Sequence, residues 1–130
     1  MIVADASAVL EVLLNTPVGV EVGRRLFAPE ETVHAPHLLD LEVLQGLRRY
    51  ARSAEIGIVR VERALQYYAN MSLNRYPHDV LAPRVWQLRH NLTAYDASYI
   101  ALAEALDAPL ITRDRAFNSI KGHRAKVIVL

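Results

Sequence analysis

Four acidic residues lie where short apolar segments of the sequence are predicted to give way to helices. Asp5 ends one such segment, Asp114 follows another by two residues, and Asp96 and Glu42 lie near the starts of predicted helices. The chain has no cysteine, and its histidines lack the spacing of zinc motifs. A set of carboxylates without thiolates or paired histidines favours hard cations such as Mg²⁺ or Mn²⁺. Carboxylate clusters of this kind support phosphodiester hydrolysis, because the bound ion orients a water molecule and lowers its pKa.

Each acid also has a purely structural interpretation. Asp5 and Asp114 could cap the helices that follow them, and Asp96 could interact with the positive end of its own helix. Glu42 could lie on an ordinary solvated helix face. The helix after Asp96 contains few polar residues and is predicted to be buried. An acid at the start of a buried helix needs a partner more than a surface acid does, which favours the functional interpretation.

An alternation of short apolar strands and longer helices positions these acids. The predicted strands cover residues 1–4, 32–35, 109–112 and 126–130, and the predicted helices cover residues 6–15, 18–27, 37–52, 55–71, 78–90, 93–106 and 115–119. Pro83 indicates either a kink in the helix at 78–90 or a later start at the proline. The pattern predicts an α/β fold with a mainly parallel central sheet, helices on both faces and extra helices inserted in the middle of the chain. The carboxyl ends of parallel strands share one edge, where acids distant in sequence can converge.

The composition sets limits on the class of protein. A length of 130 residues with 52% hydrophobic residues suits one domain covering residues 1–130. No apolar run is long enough for a membrane span or a signal segment, so we expect a cytoplasmic protein with no membrane contact. The net charge of +1 argues against bulk electrostatic coating of nucleic acid. However, four acids gathered into one metal site would leave ten acids against 15 basic residues elsewhere.

Four segments carry a resemblance to a known family. They are IVADASAVL at 2–10, PHLLDLEV at 36–43 followed by Leu47, YDASYIALAE at 95–104, and LITRD at 110–114 followed by Phe117. In this order they resemble the four motifs of the PIN-domain ribonucleases. Within that family the chain most resembles the VapC toxins of VapBC toxin–antitoxin modules.

The resemblance implies a metal-dependent endoribonuclease that binds Mg²⁺ or Mn²⁺. Its catalytic and metal-binding residues would be Asp5, Glu42, Asp96 and Asp114. Ser7 and Thr112 occupy positions where the family often has hydroxyl groups that orient the carboxylates or bind water.

The second motif contains two acids, Asp40 and Glu42. They lie about 200° apart around a helix, so both cannot face one metal ion. Helical periodicity leaves the choice open, and the similarity to the motif selects Glu42. Some relatives carry a further acid after the fourth motif, where this chain has Arg115, and this difference leaves a second metal position open.

The resemblance also implies partners. They are an RNA substrate, a second copy of the chain in a homodimer, and a VapB-like antitoxin whose segment enters or covers the cleft. Arg113 and Arg115 are predicted to contact RNA because they flank the fourth acid, and Arg48, Arg49 and Arg52 are further candidates.

Two other functions are compatible with parts of the sequence. A haloacid-dehalogenase-like phosphatase would use Asp5 as a nucleophile, but its second acid is replaced by Ser7, and no lysine precedes Lys121. A non-catalytic PIN-like scaffold that binds RNA or protein would have no need to keep four acids together.

Overall fold

The structure is a computed structural model that describes residues 1–130. The five strands are β1 (Ile2–Ala4), β2 (Val33–Pro36), β3 (Asn74–Tyr76), β4 (Leu110–Thr112) and β5 (Val127–Val129). The six α-helices are α1 (Ala6–Leu13), α2 (Pro17–Leu26), α3 (Leu38–Ser53), α4 (Ile58–Ala69), α5 (Ala82–Gln87) and α6 (Ala94–Leu106), and a 3₁₀ helix covers Arg115–Ser119.

All five strands are parallel and form one sheet in the order β3-β2-β1-β4-β5. β1 lies in the centre, with Val3 aligned with His34 of β2 on one side and with Leu110 of β4 on the other. β2 and β3 therefore extend the sheet on one side of β1, and β4 and β5, which come later in the chain, extend it on the other side. This reversal opens a crevice at the carboxyl ends of β1 and β4.

Helices cover both faces of the sheet, as the sequence predicted. Side chains of β1 alternate between the two faces, because Ile2 and Ala4 enter one hydrophobic core and Val3 enters the other. The first core is completed by α1, α2, α3 and α4. The second is built around α6, whose residues from Ala97 to Ala103 are all buried. The expected burial of α6 is confirmed.

The main difference from the predicted elements is β3. This strand occupies the sheet edge and presents exposed polar residues, Asn74 and Arg75, so it lacks the apolar signal of the other strands. The predicted helix at 78–90 is also shorter in the structure. It is reduced to α5, where Pro83 lies in the first turn. Of the two alternatives for this proline, the structure has the later start.

No single helix is long and apolar enough to cross a membrane. Only α1 and α2 taken together reach that length and composition, and they are bent by 111° relative to each other. Val9 of α1 and Val22 of α2 are buried in the first core.

We predict opposite stability effects for two glycines of α2. A Cβ atom at Gly19 would lie 2.0 Å from the carbonyl oxygen of Glu11 in α1, whereas at Gly23 the nearest atom is 3.9 Å away in Phe27. Gly19→Ala should lower the free energy of unfolding by about 1–3 kcal/mol or more, because backbone must move. Gly23→Ala should raise it by about 0.5–1 kcal/mol through helix propensity. Urea unfolding measures both, and a Gly19→Ala variant as stable as the original chain would contradict the close approach of α1 and α2.

Candidate active site

One cleft at the carboxyl ends of β1 and β4 contains the four predicted acids. It has a volume of about 930 Å³, and its lining includes Asp5, Glu42, Asp96 and Asp114. These residues come from the end of β1, from α3, from α6 and from the segment after β4. The structure therefore brings together all four acids that the sequence selected.

Asp5 is the most buried of the four acids, with 6% of its surface exposed. Its Oδ1 accepts hydrogen bonds from the hydroxyl of Ser7 (2.6 Å) and from the backbone N–H of Ala8 (3.0 Å). Its Oδ2 accepts a hydrogen bond from the hydroxyl of Thr112. Asp5 therefore caps α1, as the structural interpretation predicted, and is also held from two directions at the base of the cleft.

The two predicted hydroxyl residues link Asp5 to the fourth motif. Thr112 is fully buried, and its oxygen also accepts a hydrogen bond from the backbone N–H of Asp114 (3.0 Å). The oxygen of Ser7 accepts one from the backbone N–H of Arg113 (2.9 Å). Both side chains therefore fix the position of β4 and the residues after it relative to Asp5, which is the arrangement expected of groups that orient metal ligands.

Glu42 is held by a residue to which the sequence analysis gave no role. The phenol of Tyr99 in α6 donates a hydrogen bond to Oε1 of Glu42 at 2.6 Å, and Tyr99 itself is 1% exposed. Tyr99 lies three residues after Asp96, so both project from the same side of α6. A phenol in a helix predicted to be buried was the sequence signal for this role, since a buried phenol needs a hydrogen-bond partner.

Burial and mutual repulsion raise the pKa values of three of the acids. For Asp5, Glu42 and Asp96, burial is the largest cause. The charge of Asp96 raises the pKa of Asp5 further, the charges of Asp5 and Asp96 act on Glu42, and the charge of Asp114 acts on Asp96. Hydrogen bonds from Ser7, Thr112, Ala8 and Tyr99 oppose these shifts. The ionised cleft is thus electrostatically unfavourable, and a bound cation would relieve it.

The donor chemistry of the cleft fits a hard divalent cation, because the converging side chains offer carboxylate and hydroxyl oxygens. No three Asp, Glu or His side chains are already arranged to hold an ion. The carboxylates therefore line one cleft without forming a preassembled ion site.

Asp40, the alternative acid of the second motif, lies outside the cleft. Its carboxylate pairs with the guanidinium of Arg75 in β3, with the shortest contact at 2.9 Å, and accepts a hydrogen bond from the phenol of Tyr68 at 2.5 Å. Arg75 and Tyr68 lower the pKa of Asp40 against the effect of burial. Asp40 therefore ties α3 to α4 and to the edge strand.

The two arginines predicted to contact RNA are placed differently. Arg113 lines the cleft, where its guanidinium lies 3.5 Å from Glu11 and donates a hydrogen bond to the carbonyl of Leu130. Arg115 is exposed and is not among the residues that line the cleft.

Glu11 is a fifth acid in the cleft wall. The sequence did not indicate this role, because Glu11 lies within an apolar helix.

A family comparison covers nearly the whole chain. The PIN domain family matches residues 2–122. The chain belongs to the PIN-domain family. VapC ribonuclease Mb0985 of Mycobacterium bovis is 48% identical over 114 residues, which cover 88% of this chain and 86% of that protein. Ribonuclease VapC1 of Mycobacterium tuberculosis is 45% identical over 121 residues, which cover 92% and 90% of the two chains.

The PIN fold is also found in solved structures. VapBC2 from Rickettsia felis bound to a DNA fragment from its promoter matches with a TM-score of 0.69 and 15% identity, covering 98% of both chains. At this identity the similarity shows the fold alone. The resemblance to PIN-domain proteins and to VapC ribonucleases in particular is therefore confirmed, whereas the roles of the individual acids stay predictions.

We predict that Asp96→Asn stabilises the metal-free PIN domain at neutral pH. The pKa of Asp96 is raised in the folded state, so its ionised form favours unfolding once the pH rises through the folded pKa. The amide removes this charge. Urea unfolding in chelator at pH 7 should give a higher midpoint for the variant, and the difference should shrink towards pH 3, where the carboxyl group is protonated in both states. A variant that is less stable at pH 7 would contradict the cost of burying this carboxylate near Asp114.

Proposed function

We propose that this PIN-domain protein is the toxin of a type II toxin–antitoxin system and hydrolyses RNA phosphodiester bonds with Mg²⁺ or Mn²⁺. The observation that carries the proposal is the convergence of four acids from four separate elements in one cleft. The similar proteins named VapC ribonucleases support the choice of RNA as the substrate.

In the proposed reaction, Asp5, Glu42, Asp96 and Asp114 hold the cation. When bound, the cation lowers the pKa of a water molecule and neutralises charge on the phosphate. Glu42 and Asp96 are the proposed acceptors of the water proton, because both are partly exposed whereas Asp5 is buried. Asp5 is buried, and hydrogen bonds fix both of its oxygens while leaving Oδ2 able to bind an ion, which suits a fixed ligand better than a proton carrier.

We further propose a VapB-like antitoxin as the inhibitory partner. The lining of the cleft also includes apolar side chains, among them Leu10, Leu14 and Ile56, which suit a partner segment that covers the site. Leu41 and Tyr95 on the cleft rim are 67% and 63% exposed, which supports a homodimer that covers them. The toxin would act in the cytoplasm as one domain covering residues 1–130.

The decisive experiment is an RNA cleavage assay with purified protein. Single-stranded and structured RNAs are incubated with Mg²⁺, with Mn²⁺ or with chelator. We expect cleavage that chelator abolishes. Asp5→Asn and Asp96→Asn should each lower the rate more than about 100-fold, because even residues that merely support metal ligands cost 10–100-fold.

A matched control is Asp107→Asn. Asp107 is exposed and ends α6 in the left-handed conformation, which asparagine also adopts readily. Its cleavage rate should equal that of the original chain. RNA binding without cleavage under any metal condition would instead favour the non-catalytic scaffold, and cleavage in chelator would exclude the metal mechanism.

The hydrogen bond from Tyr99 to Glu42 gives a second test of the proposed metal site. Tyr99→Phe should weaken Mn²⁺ binding, measured by calorimetry, by about 10-fold or more, because Glu42 loses the group that orients it. Tyr68→Phe is the matched control, since it removes an equally short phenol–carboxylate bond at Asp40, outside the cleft. Both variants should lose about 1–3 kcal/mol of stability, but Tyr68→Phe should leave Mn²⁺ binding unchanged. Equal effects on binding would exclude a specific role for Tyr99.

A further inference from the structure

A row of polar side chains runs along α3 away from the acids. Glu42, Gln45, Arg49 and Arg52 are spaced by three or four residues and therefore share one side of the helix. The first three line the cleft. At about 1.5 Å per residue, Arg49 lies about 10 Å and Arg52 about 15 Å along the helix axis from Glu42.

A second groove begins where the cleft ends. It has a volume of about 570 Å³ and shares Arg49 and Tyr50 with the cleft, so the two adjoin at these residues. Arg48 and Arg52 also line it, and Glu55 is its one carboxylate. A strand of polymer leaving the catalytic acids along α3 would enter this groove.

The arginines of the groove have no acidic partner within the protein. The ion pairs involve Arg24, Arg25, Arg75, Arg84 and Arg113. Arg48, Arg49 and Arg52 form none, and all three are exposed. An arginine in the last turn of a helix can stabilise the helix dipole, but only Arg52 lies there. Three guanidinium groups around one groove are therefore free to pair with an external anion.

We propose that this groove binds the sugar-phosphate backbone of single-stranded RNA beyond the bond that is cut. The inference rests on the proposed ribonuclease function and deepens it. Guanidinium groups pair with phosphate oxygens in a bidentate manner. The groove has a single hydrophobic lining residue, Tyr50, which suits a polyanion better than a protein segment that needs apolar contacts.

The test uses Arg48→Ala combined with Arg52→Ala, which leaves Arg49 and the cleft intact. The matched control combines Arg24→Ala with Arg63→Ala, because these are exposed helical arginines away from both grooves and remove the same charge. Cleavage is measured for an RNA of about four nucleotides and for one of about sixteen that contains the same cleavage site. Thermal unfolding verifies that both variants are folded.

For the long RNA, the groove variant should raise KM roughly tenfold with kcat unchanged, and the dependence of log KM on log salt should weaken by about 1.4, the value for two lost phosphate contacts to a single strand. For the short RNA, KM and kcat should stay unchanged. The control variant should behave like the original chain with both substrates.

An unchanged KM for the long RNA, or an equal rise for groove and control variants, would overturn the inference. Cleavage of the short RNA tests the proposed ribonuclease function alone, because this substrate does not reach the groove. If no variant cleaves it, the proposed function fails whatever the groove binds. Anisotropy of the labelled long RNA in chelator decides the inference even without cleavage, since only the groove variant should bind more weakly. Competition by a polyglutamate peptide as effective as unlabelled RNA of the same charge would assign the groove to acidic protein and contradict the proposal.

Discussion

The pairing of β1 with β4 is the constraint on which the site depends. A carboxylate as buried as that of Asp5 is costly unless donors surround it, and the hydroxyl of Thr112 at the end of β4 supplies one of them. The same hydroxyl accepts a hydrogen bond from the backbone N–H of Asp114, so Thr112 links Asp5 to Asp114. Because Val3 is aligned with Leu110, the ends of both strands reach the sheet edge together. A shift of one residue in this register would move Thr112 to the wrong position beneath the cleft.

α6 supports the opposite side of the site in a different way. This helix is buried along most of its length, so apolar packing sets its position. Asp96 in its first turn therefore lies at the cleft. Tyr99 then connects this helix to Glu42 of α3, which joins the elements on the two faces of the sheet through one hydrogen bond. The acids are thus held by groups whose own positions are set by the core, as precise metal sites require.

Sequence patterns could predict most of this architecture, because the central strands are short apolar runs and the helices have clear periodicity. The edge strand β3 was not predicted, because the polar residues Asn74 and Arg75 are typical of a loop. Only its pairing with β2 identifies this segment as a strand. The same limit applied to the second motif. Periodicity could not separate Asp40 from Glu42, because the distinction depends on Arg75, which reaches Asp40 from that unpredicted strand. Contacts between residues far apart in sequence, such as the one between Tyr99 and Glu42, leave no periodic signal.

The strand order also determines when the cleft can exist during synthesis. β4 follows its partner β1 by more than a hundred residues in the sequence, so the carboxylate of Asp5 lacks the hydrogen bond from Thr112 until that residue has been made. Until then β2 and β3 can assemble on the other side of β1, while the crevice has only one wall. A nascent chain therefore cannot form its complete set of acids until Asp114 has been made, more than a hundred residues after Asp5. The late return of β4 thus delays completion of the cleft until the other three acids, all earlier in the sequence, have been made.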